Sequence, residues 1–316
     1  MNDQRHIPVL LDEVVEVLAP RDGAVYVDAT FGAGGYSRAL LEAADCTVWG
    51  IDRDPEAADA GNKLAESYGQ RLTVLKGRFG DMRELLEGVG VTQVDGIALD
   101  IGVSSMQIDD PGRGFSFRTD GPLDMRMEKD GMSAADAVNR LAEKELADII
   151  YQYGEERASR KIARAIVELR ELSPITRTSQ LANVVRSVVR RSKDGIDPAT
   201  RTFQALRIYV NEELAELDRG LAAAATLLGE GGRLAAVSFH SLEDRRIKTF
   251  FQERSGAGPA PSRHLPMAAA GDATIFTVPE KRGRTPGDAE VRMNPRARSA
   301  RLRWGIRTAA PLPAAA

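Results

Sequence analysis

The chain has 316 residues, with 43 basic and 46 acidic side chains, so its net charge is −3. Hydrophobic residues make up 43% and charged residues 28%, which is ordinary for a soluble globular protein. One cysteine and three scattered histidines exclude a disulfide framework and a metal site built on cysteine or histidine. No apolar run approaches the roughly 18 residues of a membrane span, and the N-terminus lacks the order of a signal peptide, so we expect a cytoplasmic protein.

The net charge conceals an uneven distribution. Residues 281–307 contain nine basic and two acidic side chains, a local charge of +7, which leaves −10 on the rest of the chain. The distribution of charge matters more than its total for binding nucleic acid. The average therefore argues against an RNA partner, whereas this segment favours one.

The first hundred residues alternate between strand and helix patterns. Short apolar runs predict strands at 24–28, 47–52, 72–75 and 94–100. A helix is predicted over 37–44, and another begins near Pro55, since proline is tolerated in a first helical turn. Such alternation is typical of an α/β fold, in which a parallel sheet carries helices on both faces.

The pattern changes after residue 100. Residues 101–128 show no sustained period and predict a long functional loop. The segment that follows predicts only helices, at 133–146, 155–172 and 178–191. The α/β pattern then resumes with one long amphipathic helix, a fifth strand, a helix and a final pair of strands, at 202–228, 233–238, 242–254, 273–278 and 299–308. We therefore expect an α/β domain of residues 1–128 and 202–316, interrupted by an inserted helical domain of residues 129–201.

Three predicted strands end in a carboxylate. Strands one, two and four end at Asp28, Asp52 and Asp100. Ligands of doubly wound sheets bind beyond the carboxyl ends of the strands, so these side chains should converge on one site.

A glycine-rich loop, residues 28–35, follows the first strand. Its third glycine comes directly after the second, which departs from the dinucleotide fingerprint, and Asp28 would repel a pyrophosphate. A cationic ligand would gain from Asp28. S-adenosylmethionine carries an ammonium and a sulfonium, and its ribose suits Asp52, which lies 18 residues after Gly34. The alternatives are a structural turn for the loop and a helix cap for Asp52, although Asp54 could serve as that cap.

Candidate binding or catalytic residues also follow the third, fourth and fifth predicted strands. Phe79 could stack on an adenine or cover the sheet edge as a core residue. Asp100 and Ser104 could hold the N–H groups of an amine acceptor, where the alternative is a capped loop. His240 could donate to a base, contact phosphate or move a proton, or it could be structural at a helix start.

Several stretches together resemble a known family, the bacterial ribosomal RNA small-subunit methyltransferase H family, also called MraW. The chain matches it from residue 6 to residue 305, in HIPVLLDEVV, DATFGAGGYS, GIDRDP, LDIGVSSMQIDDPGRGFSFRTDGPLDMRM, YGEE, IDPATRTFQALRIYVNEEL, GGRLAAVSFHSLEDRRIK and NPRARSARLR. The resemblance implies a class I S-adenosylmethionine methyltransferase fold, Rossmann-like with a seven-stranded sheet, and an inserted helical domain. It also implies N4-methylation of one cytidine in the decoding region of 16S ribosomal RNA.

The resemblance also assigns site residues. The cofactor contacts it implies are Gly34, Gly35, Tyr36, Asp52, Phe79, Asp100 and Gln107. The family usually has histidine where this chain has Tyr36, a change that matters little if the contact is made by the backbone. The catalytic candidates are Asp100, Ser104 and His240, and the sequence does not order their roles. No metal is required, and Cys46 is predicted to be a buried apolar residue rather than a nucleophile.

The expected partner is small-subunit ribosomal RNA, either naked or in a subunit, and a homodimer is left open. RNA binding would use residues 281–307, the arginine-rich loop after Arg113, and the basic residues Arg186, Arg190, Arg191 and Lys193. The phenylalanines of that loop could stack bases, or they could belong to a closing lid. Three alternatives stay open: a nicotinamide-dependent oxidoreductase, a non-catalytic RNA-binding factor, and a methyltransferase acting on protein or small molecules.

Overall fold

A computed structural model describes residues 8–190, 195–256 and 274–312. The chain divides into two compact units, an α/β unit of Met1–Gly102 with Ala215–Ala316, and a helical unit of Val103–Leu214. The predicted domain limits, 129 and 201, lie inside the helical unit and stay a prediction. None of the described helices is long and apolar enough to cross a membrane.

The α/β unit is built on a seven-stranded sheet. Its strands are β1 Val25–Asp28, β2 Thr47–Asp52, β3 Leu72–Lys76, β4 Val94–Asp100, β5 Leu228–Ser238, β6 Phe276–Thr277 and β7 Arg301–Arg307. They lie in the order β3-β2-β1-β4-β5-β7-β6. The first five strands are parallel, whereas β7 runs antiparallel to both β5 and β6. The predicted fold class, a Rossmann-like α/β fold of seven strands, is confirmed.

The described residues form thirteen α-helices, numbered in chain order. They are α1 Leu11–Leu18, α2 Gly35–Ala43, α3 Pro55–Ala65, α4 Met82–Glu87, α5 Ser105–Asp109, α6 Ala134–Arg140, α7 Glu143–Gly154, α8 Ser159–Leu172, α9 Thr178–Val188, α10 Ala199–Asn211, α11 Glu213–Leu227, α12 Ser241–Arg254 and α13 Asp288–Met293. Short 3-10 helices lie at Gly69–Arg71, Phe79–Asp81, Pro111–Arg113 and Pro295–Ser299.

The sheet is covered by apolar side chains on both faces. Ile97 and Leu99 of β4 belong to one buried cluster, and Ala98 between them belongs to the other. Helix α11 contributes Leu217 and Leu221 to the first cluster. Because successive side chains of a strand point to opposite faces, a strand buried on both sides shows a continuous apolar run. This is why the central strands were readable from the sequence.

The sequence interpretation misjudged several helix bounds. The predicted helix over 133–146 is two helices, α6 and α7, separated by Leu141 and Ala142, although Ser133 does cap α6 by accepting from the Asp136 amide at 3.1 Å. The predicted helix over 202–228 is also two helices, because Glu212 has a left-handed backbone with φ of +53°. The loop at 101–128 contains α5 and a 3-10 turn.

The helical unit has a core of its own. It includes Leu146, Ile150, Ile162, Ile166, Leu181 and Phe203. In α8, Ile166 is completely buried, whereas Leu172 in the last turn is 85% exposed. The two positions therefore offer a matched pair on one helix.

We predict that Ile166→Ala lowers the free energy of unfolding by about 2–5 kcal/mol, because it leaves a cavity in this core. Leu172→Ala should change it by no more than about 0.5 kcal/mol, since its side chain is already in solvent. Urea denaturation followed by circular dichroism measures both. Equal losses from the two variants would contradict the assigned core.

Candidate active site

Three carboxylates stand at the ends of neighbouring strands. Asp28, Asp52 and Asp100 are the last residues of β1, β2 and β4. In the sheet β1 lies between β2 and β4, so Asp28 is central. The structure thus confirms the predicted placement of all three at one edge of the sheet.

Asp28 joins the end of β1 to the first turn of α2. One of its oxygens, Oδ2, accepts from the Ser37 amide at 3.0 Å and from the Ser37 hydroxyl at 2.7 Å. Its other oxygen, Oδ1, is buried and has no hydrogen-bond partner among the described residues. Burial raises the pKa of this carboxyl. A carboxyl group of the protein itself therefore already occupies the helix N-terminus at which a pyrophosphate would bind, which disfavours a dinucleotide.

Asp52 stabilises two loop amides. Its carboxylate accepts from the Gly32 amide at 2.7 Å and from the Asp54 amide at 2.8 Å. The cap of α3 is Asp54, which accepts from the Glu56 amide at 3.0 Å, so Asp52 is not needed for that role. Burial raises the pKa of Asp52 to about 6.

Asp100, at the end of β4, is the third carboxyl at this edge. Its amide donates to the Thr30 hydroxyl at 2.6 Å, which fixes the backbone of the strand end. Its carboxyl Oδ1 is buried without a hydrogen-bond partner among the described residues. Burial, and then the charges of Asp28 and Glu243, raise the pKa of Asp100 to about 8.

Two glycines of the loop after β1 stand where a side chain would not fit. Gly34 has φ of +73°, and a Cβ there would lie 2.6 Å from Cζ of Phe31. A Cβ on Gly35 would lie 2.1 Å from Cγ of Pro8. The structural turn that the sequence left as an alternative is therefore real, and it does not exclude contact with a ligand.

Tyr36 is turned into the protein. Its side chain is buried, and its hydroxyl donates to the Val9 carbonyl at 2.5 Å. The neighbouring Leu10 amide donates to Glu290 of α13 at 2.8 Å. A ligand contact from Tyr36 would therefore come from its backbone, the case in which replacing histidine matters little.

Phe79 begins the 3-10 turn after β3 and is half-buried. Its ring packs against the core on the α11 side of the sheet, where a Cβ on Gly220 would lie 2.4 Å from its Cδ2. The buried part of the ring therefore agrees with the interpretation of Phe79 as a core residue. Its exposed part leaves the stacking interpretation in place as a prediction.

Ser104 and Gln107 belong to the helical unit, where they cap α5. The Ser104 hydroxyl accepts from the Gln107 amide at 3.2 Å, and Gln107 Oε1 accepts from the Ser104 amide at 3.1 Å. This is the capped loop that the sequence left open. It gives both residues a structural role, and their ligand roles stay predictions.

His240 is the N-cap of α12. Its Nδ1 accepts from the Glu243 amide at 3.4 Å, and its Nε2 lies 2.9 Å from Oε1 of Glu243. Glu243 is fully buried and also accepts from the amides of Phe239 and His240, at 2.8 and 3.2 Å. Sequence reasoning missed Glu243, although an acid three residues after a cap is the spacing of a capping box. The structural interpretation of His240 thus has direct support.

The arginine-rich loop after β4 is engaged within the helical unit. Arg113 is buried and donates to the carbonyls of Arg126 and Met127, at 3.0 and 2.9 Å. The Phe117 ring packs on Phe203, with centroids 4.8 Å apart. Internal packing thus already uses Arg113 and Phe117, whereas Arg118 in the same loop is exposed, and RNA binding by this loop stays a prediction.

The other predicted RNA-binding residues differ in availability. Arg186 forms an ion pair with Asp197 at 2.8 Å and lies over the Phe117 ring, whereas Arg190 is exposed. Arg191 and Lys193 lie outside the described residues.

The basic segment, residues 281–307, is also partly neutralised. Arg284 pairs with Glu16 and Glu280, Arg303 pairs with Asp244, and Arg307 is buried among carbonyls. Four cations of the segment are exposed and pair with no described residue: Lys281, Arg282, Arg292 and Arg298. The cations available to a partner are therefore fewer than the local charge suggests.

Known proteins resemble this chain over nearly its whole length. The model of a family described as the MraW methylase family matches residues 3–308. A protein of Paramagnetospirillum magneticum is named ribosomal RNA small subunit methyltransferase H. It is 62% identical to this chain, and the match covers 98% of each of the two chains. Its namesake in Rhodospirillum centenum is 66% identical, over 97% of this chain and 93% of that one. A crystal structure described as a putative rRNA-methylase of Clostridium thermocellum is 13% identical, with a TM-score of 0.43 over 94% of each chain.

We predict that Asp100→Asn stabilises the ligand-free protein increasingly as the pH rises from 5 to 7. The folded wild type holds a proton on Asp100 up to about pH 8, whereas the unfolded chain releases it near its ordinary value of 3.8. Through Asp100 the wild type therefore loses up to about 1.4 kcal/mol of stability per pH unit over this range, a loss that the variant lacks. Chemical denaturation at several pH values measures the difference; a difference independent of pH would contradict the perturbed state of Asp100.

Proposed function

Because this chain belongs to the MraW methylase family, we propose that it methylates the N4 amine of one cytidine in the decoding region of 16S ribosomal RNA. Its methyl donor is S-adenosylmethionine. Relatives named ribosomal RNA small subunit methyltransferase H, at 62% and 66% identity, support the RNA substrate. The structural observation that carries the proposal is a pair of buried carboxyl oxygens, on Asp28 and Asp100, which lack partners among the described residues.

The residues at this edge fit a cationic cofactor. A buried carboxylate without a partner is costly, and a cation beside it removes that cost. When bound, the cofactor supplies a methyl group on a positively charged sulfur. We infer that it is held by the loop backbone at Gly34, Gly35 and Tyr36, by Asp52 at the ribose and by Phe79 at the adenine. The assignment of Gln107 rests on the family resemblance alone.

Asp100 is our first candidate for orienting the target amine. The exocyclic amine of cytosine is a weak nucleophile, because its lone pair is delocalised into the ring. A carboxylate that accepts its N–H groups stabilises the positive charge that develops during transfer. Ser104 and the Nδ1 of His240 already hold helix caps, and the Nε2 of His240 lies 2.9 Å from a carboxyl oxygen of Glu243. An oxygen of Asp100, by contrast, has no partner of any kind among the described residues. A cation near Asp100 would lower its pKa and so favour the form that accepts hydrogen bonds.

The one cysteine supports transfer to nitrogen rather than carbon. Methylation at C5 of cytosine requires a cysteine nucleophile. Cys46 is buried just before β2, and its thiol lies 3.4 Å from the Leu40 carbonyl. It sits at the opposite end of that strand from Asp52, so we infer no role for it in catalysis.

We further propose that the exposed cations of residues 281–298 bind RNA phosphates. The target base would leave its stack to reach the sheet edge, at a cost of a few kcal/mol that is smaller for unpaired RNA. An RNA substrate is consistent with a cytoplasmic location. The choice between naked RNA and an assembled subunit stays open, and so does the formation of a homodimer.

The test of this function supplies labelled S-adenosylmethionine and small subunits from cells that lack the protein. Mass spectrometry should find one N4-methylcytidine, in the decoding region. Asp100→Ala should lower the transfer rate at least about a hundredfold, because it removes the group that stabilises the developing charge.

Cofactor affinity, measured in parallel by calorimetry, separates the two proposed roles of Asp100. A large loss of affinity would assign it to the cofactor, whereas unchanged affinity with lost turnover would assign it to the amine. A methyl group on another atom, or wild-type turnover by the variant, would overturn the corresponding assignment.

We predict that the affinity for RNA depends on salt through these exposed cations. Each phosphate neutralised on single-stranded RNA contributes about 0.7 to the slope of log affinity against log salt. Arg292→Ala combined with Arg298→Ala should therefore lower the slope by about 1.4. Lys63→Ala, an exposed cation on α3, serves as the control and should leave the slope unchanged. The same slope for the double variant and the wild type would rule out this surface.

A further inference from the structure

We propose that Gly220 of α11 is a positioning residue for the cofactor, and that it acts by setting where the Phe79 ring lies. This inference rests on the proposed contact between Phe79 and the adenine. The proposal places a determinant of cofactor affinity on α11. In the sequence, this helix is more than a hundred residues away from the loops after β1, β2 and β3.

The evidence is a close approach between a helix and a ring. A Cβ built on Gly220 would lie 2.4 Å from Cδ2 and 2.7 Å from Cε2 of Phe79. Such distances are far below van der Waals contact, so any side chain at this position must displace the ring or the helix. The backbone of α11 therefore serves as the surface against which one side of Phe79 rests.

The same face of α11 also holds the loop that carries Asp52. Glu216 lies one turn before Gly220 and is fully buried. It accepts from the guanidinium of Arg53, the residue after Asp52, at 2.6 Å. A Cβ on Gly80, the residue after Phe79, would lie 3.1 Å from Cγ of Glu216. One helix face thus fixes the loops after β2 and β3, which carry the residues proposed for the ribose and the adenine.

A side chain at position 220 should harm binding without weakening the helix itself. Alanine is a better helix former than glycine, so Gly220→Ala does not weaken α11 as a helix. The added methyl group instead pushes the ring away from its present place. Because base stacking depends on the position of the ring, the expected loss is in cofactor affinity and not in the chemical step.

The experiment compares Gly220→Ala with Ala222→Ser in the full-length protein. Position 222 is a control on the same helix, because its side chain is exposed and one added atom there points into solvent. For Gly220→Ala we expect the Kd and KM for S-adenosylmethionine to rise about five- to tenfold, as expected for a partial loss of base stacking. The kcat at saturating cofactor and the KM for RNA should stay near wild type, whereas the melting temperature should fall slightly, because the displaced ring packs less well on the core. Ala222→Ser should leave all of these values unchanged.

A double-mutant cycle with Phe79→Ala shows whether Gly220 acts through the ring. We expect Phe79→Ala alone to weaken cofactor binding about tenfold or more, and Gly220→Ala to add nothing in that background. If Phe79→Ala leaves the affinity unchanged, the proposed role of Phe79 fails and this inference fails with it. If Phe79→Ala weakens binding but Gly220→Ala does not, only the positioning role of Gly220 is overturned. The same holds if Gly220→Ala still weakens binding in the Phe79→Ala background.

Discussion

The hydrogen bonds between Asp28 and Ser37 are the interaction on which the active-site edge depends. They tie the end of the central strand β1 to the first turn of α2, at 2.7 and 3.0 Å, and so fix the loop between them. They also place a negative charge at a helix N-terminus, which stabilises that helix and excludes phosphate from it. One carboxyl thus fixes the loop through one oxygen and leaves its other oxygen without a partner among the described residues.

Much of the sheet could be predicted from the sequence, because buried parallel strands show as continuous apolar runs. The ends of β1, β2 and β4 were predicted at the carboxylates at which they lie. The break at Glu212 could not be predicted, because a left-handed backbone at a residue other than glycine gives no pattern in the sequence. The break after α6 was equally invisible, since the residues on both sides favour helices.

The site residues also fall into those that local sequence patterns specify and those that depend on tertiary contacts. The positions of Asp52 and Asp100 followed from strand ends, which local patterns specify. The roles of Ser104 and His240 as caps, and of Tyr36 as a buried donor, depend on which partner lies nearby, which composition does not reveal. The charge count failed for the same reason, because a sequence total does not distinguish Arg303, paired with Asp244 at 2.6 Å, from an exposed cation such as Arg292.

The bond between the Leu10 amide and Glu290 has a consequence for the order of synthesis. Its two residues are separated by 280 positions, and the segment Pro8–Leu10 that it anchors packs on Gly35 and Tyr36. A growing chain emerges from the ribosome N-terminus first. The segment beside the glycine loop therefore cannot form its hydrogen bond to Glu290 until almost the whole chain has been made. β7, which completes the sheet beside β5, also comes late. A truncated translation product would therefore lack both the pairing of β5 with β7 and the support behind the glycine loop.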